Sequence, residues 1–527
     1  MDHAVEMLPL VCGVVSFLIL GLRVLYNLYL HPLRAYPGPW YTRASILPYV
    51  YWLATGELTS AARTIHEKYG KSVRLAPNKL SFIQSEAWSD IHGHRNAKRK
   101  AWFDKDPSVY LPRQNGAPSI VDANEHDHAR FRRLLAHAFS EKALRDQEAV
   151  LLKYVDLLVA KLSEQIESPS GCILDMSEWT NAMTFDIIGD LTFGRPFDCL
   201  KNGKLHPWVE LLPGAARTMT YLLALKHAPS PVFRFVVAAI SPFLGARSKH
   251  AAFTNEKISL RLAEKTERSD FITPILKAND DKGMSHAELE SSINLLVTAG
   301  SETLATFFAG AIYHLCKNGD AYKRLQKEVA EAFSSPGEVT IASTQRLPYL
   351  HAVIEEVLRI YPPAALSLSR IVPHGGAVIC GDLIPSGTSI GVTSWAATHS
   401  PSNFTDPELF APERWLDDPR FATDDRAASQ PFSIGGRNCL GKNLAYAEMR
   451  LTLAKLAINF DFELLPQSDS WINQKLFTFW EKPPLLVRVL RREEVQSVRS
   501  KSESRTTGQV VGEAQDGRTC AVPRVSE

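Results

Sequence analysis

A mainly α-helical domain with a small β-rich subdomain, tied to a membrane by one N-terminal helix, is the fold class that this 527-residue sequence predicts. Three observations predict it. Met7 to Leu22 is an apolar run without a charge, and it continues past Arg23 to Leu30, which is long enough to span a bilayer. Helical patterning then dominates from about Ala61 to Ile360. Short β-like runs come only after it, at Ala377–Cys380, Thr388–Thr393 and Leu485–Leu490.

The N-terminal run reads as an uncleaved anchor. A signal peptide would want a basic leader and a small-x-small cleavage site, but only Asp2, His3 and Glu6 carry titratable groups ahead of the run and no such site follows. Arg23, Arg34 and Arg43 lie on its C-terminal side, which places the body in the cytoplasm, and Tyr26 and Tyr29 fall at interface depth. The stretch His31-Pro32-Leu33-Arg34-Ala35-Tyr36-Pro37-Gly38-Pro39 cannot be helical throughout and forms a hinge. Residues 1–34 are thus anchor and hinge, and 35–490 the folded body. Residues 491–527, rich in Ser, Arg, Glu and Gly with few large apolar side chains, form a tail expected to be disordered.

Composition narrows the function. With 45% hydrophobic and 22% charged residues the chain has ample material for a large core, and a net charge of +2 argues against a nucleic-acid binder. Seven cysteines (Cys12, Cys172, Cys199, Cys316, Cys380, Cys439 and Cys520) form no C-x-x-C pair, which excludes a zinc ribbon and suits a reducing compartment.

The clearest helix opens at Ser285, with Glu288 three residues on as a capping box, and stops at Asn318-Gly319. Its middle, from Ile293 to Ile312, is apolar on nearly every face, so it belongs in the interior. A shorter helix runs from Pro348 to Ile360 and ends at Tyr361-Pro362-Pro363.

Phe432-Ser433-Ile434-Gly435-Gly436-Arg437-Asn438-Cys439-Leu440-Gly441 carries the chemistry. Glycines let a backbone approach a flat ligand, an arginine can pair with a propionate, and the helical run Lys442–Asn459 behind the cysteine favours a thiolate. The segment fits F-x-x-G-x-R-x-C-x-G, which chance would supply only about once in ten thousand chains of this length. It resembles the haem-binding loop of the cytochromes P450, and Ala299-Gly300-Ser301-Glu302-Thr303, Glu356-Val357-Leu358-Arg359 and Pro412-Glu413-Arg414-Trp415 resemble that family's further motifs in order. The likeness runs from about Leu30 to Leu490, and the hinge and Ala136–Ser140 resemble membrane-bound fungal members of secondary metabolism.

The resemblance implies the cytochrome P450 fold and a haem b whose iron is held by Cys439, with Phe432 beside it and with His128, Arg132, Arg370 and Arg437 on the propionates. His128 stands where a tryptophan is commoner. Dioxygen would sit in the groove at Thr303, whose hydroxyl can bond back to Ala299, with Gly300 making room and Thr303 and Glu302 managing protons. Glu356, Arg359 and Arg414 would form a buried structural cluster. Substrate walls would come from Tyr110–Val121, Ala299, Ala364–Ser369 and Phe477–Trp480. NADPH-derived electrons would arrive through a separate NADPH-cytochrome P450 reductase, with cytochrome b5 as a further donor, at the endoplasmic reticulum membrane. The implied activity is monooxygenation of a lipophilic small molecule. A haem-thiolate isomerase or dehydratase, a haem sensor or carrier, and a fatty-acid or xenobiotic hydroxylase are the competing readings.

Two other motifs fail. Gly436, Gly441 and Lys442 spell a phosphate-binding loop, but Asn443 stands where a magnesium-holding Ser or Thr is needed and no strand precedes it. Gly387-Thr388-Ser389-Ile390-Gly391 spells a hydrolase elbow, but the sole later histidine, His399, follows with no acid between.

Overall fold

The computed structural model describes residues 2–94, 103–110, 113, 115–168, 172–240, 256–261, 270–278 and 283–492. The expected tail lies outside the described residues from position 493 on, as do Leu111, Pro112 and Gln114 of the expected substrate wall.

The first helix runs Asp2–Leu25 and widens into a π turn over Tyr26–Leu30, where His31 leaves helical geometry. Phe17, Leu18, Ile19, Leu20 and Leu22 on it stand exposed, an apolar surface that a bilayer would cover. Among the described residues, the other helix long and apolar enough to cross a membrane, His286–Lys317, is instead largely buried in the core. Contact with the body begins ahead of residue 35. The Asn27 amide donates to the Ala44 carbonyl at 2.9 Å, the buried Arg74 guanidinium donates to the Asn27 carbonyl at 2.9 Å, and Leu33 is buried with Phe82 and Trp88.

The central helix, His286–Lys317, forms as its caps dictate. Ser285 Oγ accepts from the Glu288 N–H at 3.3 Å, and Glu288 Oε2 accepts from the Ser285 N–H at 2.8 Å. Its apolar faces bury Ile293, Val297, Leu304, Phe307, Phe308 and Ile312 in the main core. The helix Met176–Phe193, capped by Asp175, packs along it. At Gly300 the two come so close that a Cβ would lie 2.6 Å from Ile188 Cδ1. Gly300 therefore serves the helix crossing as well as the neighbouring threonine.

The β portion is a five-stranded sheet in the order Ser72–Ala76, Lys79–Phe82, Ser389–Val392, Arg370–Ile371, Asp104–Lys105, a three-stranded antiparallel sheet of Ile173–Asp175, Leu486–Arg491 and Phe460–Leu464, and the hairpin Ala377–Ile379 with Asp382–Ile384. The three expected β-like runs are all strands. The pair Ser72–Ala76 and Lys79–Phe82 falls in the stretch expected to be helical. Both strands are buried almost throughout, so they lack the alternation that betrays a half-exposed strand, and Arg74 interrupts the apolar run. Burial of that arginine is offset by donation to the Asn27 and Pro77 carbonyls.

Candidate active site

The cysteine loop is fixed by its backbone. The Cys439 N–H donates to the Phe432 carbonyl at 2.8 Å and the Asn438 N–H to the Gly435 carbonyl at 3.2 Å. Gly435 sits at φ +77, where a Cβ would lie 2.0 Å from the His92 carbonyl oxygen, so only glycine fits. Gly441 begins the helix Lys442–Asn459 directly behind the cysteine. Cys439 is exposed and lines a cavity. Burial raises its thiol pKa, against which the Gly441 N–H, Arg132 and Lys442 all pull.

Behind this loop lies a closed ionic cluster. Arg359 donates to both oxygens of Glu356 at 2.8 Å, Arg414 Nε donates to Glu356 Oε1 at 3.1 Å, and every one of these side chains is fully buried. The sequence suggests three charges, and the structure has four, because Asp424 pairs with Arg414. The fourth makes the cluster electrically neutral. Trp415 Nε1 and the Ala411 N–H also donate to Glu356, and the Thr398, Pro407 and Leu409 carbonyls take the remaining Arg359 donors.

The cavity of about 340 Å³ above Cys439 gathers most of the expected site: His128, Arg132, Thr303, Arg370, Phe432 and Arg437 line it with Cys439. His128 and Arg132 come from the helix Glu125–Leu135, which Asn124 caps, and Arg370 from the strand beside Asp104–Lys105. The strand register sets Lys105 opposite Arg370, and so adds a cation that no local sequence signal marks. Burial and mutual repulsion depress these bases: His128 falls to about 3 and Lys105 to about 7, and burial lowers Arg370 and Arg437 as well. The one carboxyl among the described lining residues, Glu448, is pushed well above the carboxylate range by burial. Arg370 Nη1 is buried without a partner. An apolar slot with a cysteine at its floor, uncompensated cations at its edge and a donor left over fits a flat ligand with anionic arms, as haem is.

Not every expected residue takes its expected place. Arg132 spends both amino groups on Asn438, at 2.5 Å to the carbonyl and 2.6 Å to Oδ1, so it braces the cysteine loop. Thr303 Oγ1 donates to the Ala299 carbonyl at 2.7 Å, the expected back-bond, on the cavity wall. Glu302 points elsewhere, into a buried ion pair with Lys482, whose ammonium also donates to Thr306 Oγ1 at 2.9 Å. Of the expected walls, Tyr110, Val121, Ala299, Ala364 and Leu368 line this cavity, and Thr478 and Phe479 line a second one beside it. Trp480 does not: it stacks on Tyr361 and donates to the Pro362 carbonyl at 2.9 Å. Phe477 packs against Tyr221 and Gly56.

A cysteine on a rigid loop ahead of a helix, beneath a slot rimmed by cations and crossed by a threonine-notched helix, defines a haem-thiolate protein. Residues 37–488 match the family model described as Cytochrome P450, and the chain belongs to that family. It is 42% identical over 488 residues to Cytochrome P450 monooxygenase aclL of Aspergillus oryzae (strain ATCC 42149 / RIB 40), covering 92% of this chain and 98% of the relative. It is 43% identical over 479 residues to Cytochrome P450 monooxygenase lcsI of Purpureocillium lilacinum, covering 90% and 92%. It is 39% identical over 496 residues to Cytochrome P450 monooxygenase traB of Penicillium crustosum, covering 92% and 97%. The relatives are monooxygenases by name, and this chain is an enzyme of that class.

Proposed function

We propose that this monooxygenase inserts one oxygen atom from dioxygen into a lipophilic small molecule in the biosynthesis of a fungal secondary metabolite, and that Thr303 controls the protons of the reaction. The observation that carries the role of Thr303 is its hydroxyl, spent as a donor on Ala299 in the wall of the cavity that holds Cys439. A threonine oxygen whose hydrogen is committed keeps its lone pairs for a water, and so fixes where that water directs its proton. Haem b, held by Cys439 with His128, Arg370 and Arg437 at its propionates and Phe432 beside the sulfur, would supply oxygen activation. Arg132 supports the loop. Glu302 takes part only if its pair with Lys482 opens, so Lys482 acts as its positioning residue. Electrons come from NADPH through a separate reductase, with cytochrome b5 as a second donor. The exposed N-terminal helix supports anchorage in the endoplasmic reticulum membrane with the body in the cytoplasm.

Thr303→Ala tests the reading. Haem content and NADPH oxidation should stay largely intact, while product per NADPH falls by at least tenfold and hydrogen peroxide rises, since proton delivery of this kind is typically worth about 10²–10⁴-fold. Thr303→Ser should keep much of the coupling. Equal product per NADPH in wild type and the alanine variant would reduce Thr303 to a bend in the helix and reopen the isomerase reading.

A further inference from the structure

The catalytic cavity adjoins a second of about 540 Å³, and Tyr110, Val121, Leu295, Ala364 and Leu368 line both. The walls of this outer cavity differ. On the helical side Leu53, Leu58, Ala62, Leu212, Met219 and Leu223 present apolar side chains. On the side of the five-stranded sheet stand the hydroxyls of Ser81, Ser367, Ser369, Ser389 and Thr393. Most polar groups there satisfy one another. Ser81 Oγ bonds Thr393 Oγ1 at 2.7 Å and His66 Nε2 at 2.8 Å, and Ser389 Oγ donates to Asp106 at 2.6 Å. The lining cations are paired as well, Lys79 with Asp106 at 2.6 Å and Arg113 with Asp122 at 2.8 Å.

Among the described residues, two buried atoms on the lining have no partner: His227 Nε2 and Ser367 Oγ. Both are held in place. The His227 ring meets Tyr49 edge-on with centroids 5.6 Å apart, and Lys79 lies over the same Tyr49 ring. Ser367 Oγ occupies the space over Gly391, where a Cβ would come within 1.9 Å of it. Burial, reinforced by Lys79, lowers His227 to about 4, so the ring is neutral near pH 7 and can either donate or accept.

We propose that His227 and Ser367 recognise a neutral oxygen substituent, a hydroxyl or a carbonyl, on a lipophilic substrate whose reacting end lies over Cys439. The inference rests on the monooxygenase reading and names its substrate class. A buried polar atom left unpaired is costly, and a substrate that pairs it is preferred over one that cannot. A carboxylate is disfavoured, because both cations on this lining already hold an acid and a second anion would be buried without compensation. The subsite therefore selects an oxygenated lipophile over a fatty acid.

The experiment titrates the haem-replete, full-length enzyme with 1-dodecanol, 2-dodecanone, 1-chlorododecane and dodecanoate, following the Soret shift and the heat of binding. The alcohol and the ketone should bind roughly tenfold more tightly than the chloride or the acid, the sum expected of two modest hydrogen bonds. His227→Phe and Ser367→Ala should each cut the alcohol's preference over the chloride to about threefold, and the double variant should abolish it. Equal affinity for alcohol and chloride, tightest binding of dodecanoate, variants that keep the wild-type preference, or no binding of any probe to haem-replete protein would overturn the inference. Loss of the thiolate band of the reduced, carbon monoxide-bound wild type would sink the monooxygenase reading instead.

Discussion

Two buried charge clusters flank the cysteine loop, and they are built on opposite principles. Around Glu356 every charge is matched: two arginines face two carboxylates, and backbone carbonyls take the spare donors. Around the cavity rim, Lys105, Arg370 and Arg437 converge beside His128, which burial and their repulsion keep uncharged; Glu448, pushed up by burial, is the one carboxyl among the described lining residues, and Arg370 keeps a buried donor with no partner among the described residues. A balanced cluster is complete in the polypeptide and can only hold geometry. An unbalanced one is unfavourable until an anion arrives, which marks it as a binding site. Sequence motifs alone do not separate the two, since both read as scattered arginines.

Breaking the closed cluster should have the largest effect. Glu356→Ala strands the fully buried Arg359 and leaves Arg414 only Asp424, and should cost about 3–5 kcal/mol, leaving little haem-containing protein in an expression test. Asp424→Asn sharpens the point, since it leaves the three-charge arrangement with a net positive charge. It should lower the thermal midpoint nearly as far, and a wild-type midpoint would show that the fourth charge is dispensable. The floor of the open site should behave otherwise. Cys439→Ala should keep the circular dichroism of the fold while abolishing the red-shifted Soret band of the reduced carbon monoxide complex. A variant that retained the band would move the iron ligand to another residue.

The difference also governs what could be read without a structure. Elements whose signals are local were legible: the Ser285–Glu288 capping box, the Pro348 start, the stop at Tyr361-Pro362, and the cysteine loop with its helix. What came from afar was not. Lys105 joins the cations through strand register with Arg370, Asp424 reaches Arg414 by a loop closing back, and Lys482 meets Glu302 across 180 residues. His227 carries no motif at all, and within the expected wall Ala364–Ser369 only the lack of a partner singles out Ser367.

Removing one cation from the open cluster should therefore have opposite signs with and without the ligand. Arg370→Met relieves repulsion and burial of an unpartnered donor, so the apoprotein should melt at or above the wild-type temperature. Haem retention should nevertheless fall roughly tenfold, the loss of a hydrogen bond to a charged group. A variant equally destabilised in both forms would show Arg370 to be a structural residue like Arg359.

The smallest effect is a slope in pH, and it tests whether the rim carries uncompensated charge. Lys105 falls from the usual lysine range to about 7, chiefly through burial and then through Arg437 and Arg370. Between that value and about 10.4, the unfolded chain binds a proton that the folded apoprotein does not. Stability must then rise with pH across this window, and the penalty is fully present below pH 7. The thermal midpoint of the apoprotein should climb by a few degrees from pH 7 to pH 9.5, and Lys105→Met should flatten that climb. Haem should flatten it too, because an anion beside Lys105 returns its pKa toward the unfolded value. If the wild-type apoprotein and the Lys105→Met variant share one slope, the lysine is already compensated. The contrast between a closed and an open cluster would then rest on the arginines alone.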